Sequence, residues 1–134
     1  MDIQVSTETG RVPVTVMQVN GSIDANTYEQ FQAKAEELVE GGSRHLLIDL
    51  SQAPFVSSAG LRALHQLFNK LRSLDTSNPL NEEEVRRGIS AGTYKSPHLK
   101  LLNLSKATRT AFELSGFDMF IETFGNRQTA IDSF

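Results

Sequence analysis

The sequence predicts an α/β fold on a mixed β-sheet, and three observations carry the prediction. The first twenty residues alternate apolar and polar positions at period two, the pattern of half-buried strands. Beyond them, short apolar runs alternate with segments whose apolar residues recur every three to four positions, the order expected of parallel strands joined by helical crossovers. Between Leu61 and Leu74 the helical period is unbroken.

Ile3 and Val5 open the first strand and Thr9-Gly10 turns the chain. Val12, Val14 and Val16 resume the alternation as far as Val19, so the two strands pair as a hairpin with the first at an edge. Asn20-Gly21 ends the second strand. Thr27 is placed to cap a first helix, with Gln30 three residues on to complete a capping box. Phe31, Ala35, Leu38 and Val39 form the apolar side of that helix, and Gly41-Gly42 ends it. Leu46 to Leu50 is a short apolar run between turn residues, the composition of a central strand covered on both faces. Ser58 or Ser57 caps the next helix, whose stripe of Leu61, Leu64, Leu67, Phe68, Leu71 and Leu74 is core.

Asp75 to His98 breaks this rhythm. Ser77-Asn78-Pro79 is turn chemistry. Asn81 to Gly88 reads as one or two helical turns, with an Asn cap, acids first, arginines last and a glycine after. The remainder reads as loop, long for a connection inside a compact domain. Leu99 to Leu104 is a further strand. Ser105 caps a helix with Ala107, Ala111, Phe112 and Leu114 on its apolar side and Gly116 at its end. Phe120 to Phe124 is a last short strand, and Asn126 caps a terminal helix whose Ala130, Ile131 and Phe134 pack back on the sheet.

A chain of 134 residues is the size of one domain, 1–134, and buries a core without staples. It has no cysteine, which excludes disulfides and thiolate metal sites. The first twenty residues lack the basic start and apolar run of a signal peptide, and no apolar run approaches the ~20 residues of a membrane span. A cytoplasmic protein without membrane insertion is therefore expected. The net charge of −3 argues against general nucleic-acid binding, which needs a basic footprint. The three histidines are scattered in sequence with no His-x-x-x-His, and no Gly-x-x-x-x-Gly-Lys loop is present, so neither metal nor cofactor is expected. Gly-x-Ser-x-Gly does not frame Ser58, and His65 lies about two helical turns further on, too far for a nucleophile and its base. The chain is not expected to be an enzyme.

Three stretches, in order, resemble one family. Gly21–Thr27 (GSIDANT) is similar to a Gly-x-Leu-Asp-x-x-Thr signature before the first helix. His45–Ser51 (HLLIDLS) with Phe55–Leu61 (FVSSAGL) resembles the central strand and the phosphorylation loop. Lys100–Leu104 (KLLNL) with Phe112–Phe117 (FELSGF) resembles the later strand and helix end. The family is the STAS domain, shared by anti-sigma-factor antagonists and sulfate-transporter tails. The resemblance covers nearly the whole chain except 75–98, which it marks as an insertion.

What the resemblance implies is a mixed sheet of four to five strands with helices mainly on one face, in a regulator of the anti-sigma-factor-antagonist type. Such a protein, unmodified, binds a partner that is both anti-sigma factor and serine kinase, and the sigma factor is freed. The kinase, using ATP, phosphorylates a serine at the start of the second helix, the complex separates, and a phosphatase resets it. In the family pattern Asp-Ser-Ser/Thr-Gly-Leu the modified serine follows the aspartate, which matches Ser58. Ser57 stands in the aspartate position and is the second candidate. The partner-facing residues implied are Asp24, Ser57, Ser58, Ala59, Gly60 and Arg62.

Physical chemistry is compatible with a switch there. A helix N-terminus leaves N–H groups unpaired and tolerates a phosphate. Gly60 slims the start of the helix for a close-approaching partner, and Arg62, one turn on, is placed to screen the charge. Each residue also has a plainer reading. Ser58 or Ser57 is a cap, Asp24 a turn residue, Arg62 a solvated charge, and Glu82–Arg87 a solvated turn or helix. The alternative function is a non-switching STAS interaction module of a transporter complex or signalling scaffold. It is motivated by Ser57 in the aspartate position and by the insertion.

Overall fold

The computed structural model describes residues 1–75, 82–92 and 94–134. β1 (Asp2–Thr9) and β2 (Pro13–Asn20) form an antiparallel hairpin with Ile3 opposite Val19 and Val5 opposite Met17. β3 (Leu46–Asp49), β4 (Leu99–Leu102) and β5 (Glu122–Phe124) then join in parallel, each beside its predecessor, so the sheet order is the chain order. β1 is an edge strand and β3 the centre, as the sequence pattern predicts. All four residues of β3 are buried.

Register sorts the side chains. Met17, Ile48 and Leu101 lie in one row, and Val16, Leu47 and Lys100 in the next, on the opposite face. The first face carries the larger core. There α1 (Tyr28–Glu40) contributes Phe31, Ala35 and Val39, α2 (Ser58–Ser73) Leu64 and Leu71, and α4 (Lys106–Ser115) Phe112. Burying each of the larger of these side chains stabilises the fold by roughly 1.5–3 kcal/mol over leaving it in water. α3 (Glu82–Ala91) joins the same core through Val85 and Ile89. The second face is covered by α5 (Arg127–Asp132), whose Ala130 and Ile131 close on Val14, Val16, Leu47 and Leu102. Lys100 is buried under this small layer. Its Nζ donates to Ser133 O (2.9 Å) and Oγ (3.0 Å), meets the Glu122 carboxylate at 3.4 Å and lies 4.9 Å from the Phe134 ring centre.

Several sequence expectations are corrected. The capping box on α1 does not form. Thr27 is the cap residue, but its hydroxyl donates to Ser22 O and accepts from the Asp24 amide, while Gln30 reaches Met1 O. Leu114 points away from the core and is 84% exposed, because Thr108, Ala111 and Phe112 already fill the inward side of α4. Leu74, at the end of the α2 stripe, is 40% exposed. The 82–91 helix is longer than the one or two turns expected and runs past Gly88 to Ala91; Asn81 and Ser77-Asn78-Pro79 lie outside the described residues. β5 is only three residues long, and Phe120 packs into the core ahead of it. The histidines are not all apart. The rings of His45 and His98 lie 5.5 Å apart, with His98 bonded to Asp75 (2.7 Å) and to the Arg44 carbonyl (2.8 Å). Burial, then the neighbouring His98, lowers the pKa of His45. Among the described residues no cluster of His, Asp and Glu is arranged to hold a metal ion, and no helix is long and apolar enough to cross a membrane.

Candidate functional site

The connections leaving β2, β3 and β4 meet outside the carboxyl ends of the parallel strands, the end of an open α/β sheet where ligands generally bind. Beyond β2 and β3 the two chains stay zipped. Gly21 N donates to Gln52 O, Ile23 N to Phe55 O and Ser57 N to Ile23 O, at 2.9–3.0 Å, and Ile23 and Val56 form an isolated parallel bridge. The third connection is tied in by Ser105, whose hydroxyl donates to Pro54 O at 2.9 Å. The Asp24 turn is thereby fixed beside the start of α2.

At that start the two serines part roles. Ser57 is the cap: its backbone is extended, its carbonyl accepts from Leu61 N at 2.8 Å, and its Oγ accepts from Gly60 N at 3.4 Å. Ser58 is the first helical residue and is exposed; among the described residues its hydroxyl has no hydrogen-bond partner. Ala59 is half-buried. Gly60 is buried and has a role inside the fold. It faces inward, and a Cβ on it would lie 2.7 Å from Ile23 O and from Val56 Cγ1. Glycine is required there for the close approach of α2 to the Ile23 backbone.

Asp24 builds its turn. Its carbonyl accepts from the Thr27 and Tyr28 amides, and its Oδ1 from the Asn26 amide at 2.9 Å. Arg62 is exposed and makes no ion pair among the described residues. It shares with Ser58, Leu61, His65, Ser115 and Phe117 an open cavity of about 300 Å³. Ser115 and Phe117 were not singled out as site residues, although both stand in the FELSGF stretch. Gly116, in the left-handed conformation at φ +81°, turns the chain after α4 and delivers Phe117 to the site. The Phe117 ring stacks on His65 with centroids 5.1 Å apart and planes 12° from parallel. Burial lowers the pKa of His65, which at neutral pH therefore offers a flat aromatic surface rather than a charge. The exposed Phe55 adds an apolar side chain on the same loop.

Comparisons with known proteins converge. The family model described as the STAS domain matches residues 4–77. BtrV of Bordetella bronchiseptica, provisionally named an anti-sigma factor antagonist, is 25% identical over 116 residues, 87% of this chain and 82% of that protein. A Thermotoga maritima structure described in the same provisional terms superposes with a TM-score of 0.72 at 11% identity, covering 97% of this chain and 92% of the other. SpoIIAA, a Bacillus cell fate determinant solved without and with its phosphate, matches at 19% identity in each form. Its TM-scores are 0.68 and 0.64, over 98% of this chain and 94% and 97% of those. At these identities the structures show the shared fold.

Proposed function

This chain belongs to the STAS domain family, and from that premise we propose that it is an anti-sigma-factor antagonist switched by phosphorylation of Ser58. In this reading the unmodified protein binds, in the cytoplasm, an anti-sigma factor that is also a serine kinase, and so frees the sigma factor. Phosphate on Ser58 ends the complex and a phosphatase removes it. The work is binding, not catalysis: the relatives are named for antagonism, and the histidine nearest Ser58 in the helix is stacked on Phe117 rather than bonded to the serine.

One observation carries the reading: the division of labour between Ser57 and Ser58. Because Ser57 supplies the cap, the exposed Ser58 hydroxyl can be modified without breaking a bond the fold uses. The phosphate sits where the first-turn amides and the helix dipole favour negative charge, so the protein stays folded. It adds about −1.5 to −2 charges at pH 7. Against a docked partner that charge is desolvated or repelled, and every ~1.4 kcal/mol of difference is tenfold in affinity. Asp24, held beside the Ser58 loop by the Ile23–Val56 bridge, belongs with Ser57, Ala59 and Arg62 to the partner-facing surface.

The test is mass spectrometry of the protein from its own cells, followed by binding of the captured kinase to the parent, Ser58→Ala and Ser58→Asp forms. Partial phosphate on Ser58, with binding kept in Ser58→Ala and lost in Ser58→Asp, is expected. Equal binding of the phosphorylated and unmodified forms would sink the switch. Recovery of transporter subunits and no kinase would establish the non-switching module, the reading favoured by Ser57 in the aspartate position.

A further inference from the structure

We infer that the cavity beside Ser58 continues as a groove along α2 to α3, and that an acidic, apolar-anchored segment of the kinase docks along it, selected by Arg86. This rests on the partner-switching reading above. The cavity holding Ser58 and Arg62 is followed along α2 by a second one, of about 130 Å³, lined by Asn69 of α2 and by Val85, Arg86 and Ile89 of α3. His65 lines both, so the two cavities are consecutive stretches of one surface. Its ring is close to parallel with those of Phe117, at 5.1 Å, and Phe68, at 6.0 Å, and the three supply aromatic lining to the two cavities.

Charge identifies the occupant. The chain has 16 acidic and 13 basic residues, yet among the described residues no carboxylate lines either cavity. Arg62 at one end and Arg86 at the other are exposed, and neither is in an ion pair among the described residues. A strip with an apolar floor and cations at both ends is complementary to acidic groups flanking apolar ones. Arg86 comes from the 75–98 segment, so that segment supplies the distal wall and thereby partner choice. Arg62 lies one turn from Ser58 on the same side of α2. Phosphate on Ser58 therefore takes the proximal cation that the partner's acid needs, and release gains a cause beyond repulsion.

The experiment uses the full chain and, as probe, the recombinant kinase that the unmodified chain captures. Affinity is measured for the parent, Arg86→Glu and Arg87→Glu at low and high salt. Arg87 is an exposed neighbour that pairs with Glu83 and lines neither cavity. We expect Arg86→Glu to weaken binding about tenfold at low salt and less at high salt, and Arg87→Glu to stay within about twofold. Unchanged melting temperatures check the fold of both variants. Equal losses in both, or none in Arg86→Glu, overturn the groove while leaving the Ser58 switch standing. A parent that captures no kinase overturns the functional reading itself.

Discussion

Replacing Gly60 with alanine is the sharpest test of how the site is built. The added methyl would lie 2.7 Å from Ile23 O, 2.7 Å from Val56 Cγ1 and 3.0 Å from Ile23 Cγ2. Ordinary contact begins near 3.4 Å, so the shortfall is about 0.7 Å at two atoms at once. Neither neighbour has room to retreat. Ile23 and Val56 are both buried, Val56 is β-branched and stiff, and Ile23 O is already held by the Ser57 amide. Forcing a methyl into such a place costs typically ~1–3 kcal/mol, and stretching the Ser57–Ile23 bond adds about 1 kcal/mol. Alanine's better helix propensity returns about 1 kcal/mol. The net expectation is a loss of about 1–3 kcal/mol. For a domain of this size, at roughly 3–5 °C per kcal/mol, Tm falls by about 5–10 °C near the middle of that range. Calorimetry or circular dichroism reads it directly, and faster amide exchange at Ser57 localises it. A variant melting at or above the parent, with Ser57 exchange unchanged, would refute the inward role of Gly60.

The cap assignment predicts that Ser57→Ala loses about 0.5–2 kcal/mol in urea titration whereas Ser58→Ala stays within about 0.5 kcal/mol; the reverse order would show the cap to be misassigned. Leu64→Asp puts a carboxylate at a fully buried point of α2 and should abolish cooperative folding, so a melt like the parent's would contradict the helix orientation. Burial lowers the pKa of both His45 and His65, so near and below pH 6.5 the unfolded chain binds protons that the native one resists. Their contribution is full above that value and lost on acidification, and the urea midpoint should fall between pH 7.5 and 5.5. A midpoint that rose on acidification would overturn that assignment.

Legibility in the sequence followed the range of the interactions. β3 was readable because four consecutive buried residues leave an apolar run with no alternation. α2 was readable because Leu61, Leu64, Leu67, Phe68 and Leu71 all meet one core. The Ser58 loop stood out through local motif order. The misreadings share a tertiary cause. Thr27 had a local capping role available, but the chain doubles back to offer the Ser22 carbonyl instead. The inward role of Gly60 was invisible because nothing local reveals Ile23 packed beneath it, 37 residues earlier in the chain. His45 and His98 are separated by a helix, an excursion and a strand in sequence, and adjacent strand ends bring them together. Arg86 falls in the Glu82–Arg87 stretch read as a solvated turn or helix rather than a docking site, because its groove exists only once α3 lies against α2.

Because the strands lie in the sheet in the order of their synthesis, each one leaving the ribosome finds its neighbour already made. The sheet can lengthen sideways, one strand at a time, and its longest closure, Leu46 to Leu99 across 53 residues, is the step that waits for the 75–98 excursion to be made. The second face gains no such early protection. Val14, Val16 and Leu47 are synthesised long before Ala130 and Ile131, which close over them. A nascent or truncated chain stopping before Arg127 therefore shows a sticky apolar sheet surface, the kind that holdase chaperones shield and that aggregates when they do not. α5 is thus a quality-control seal on a sheet whose five strands are already paired.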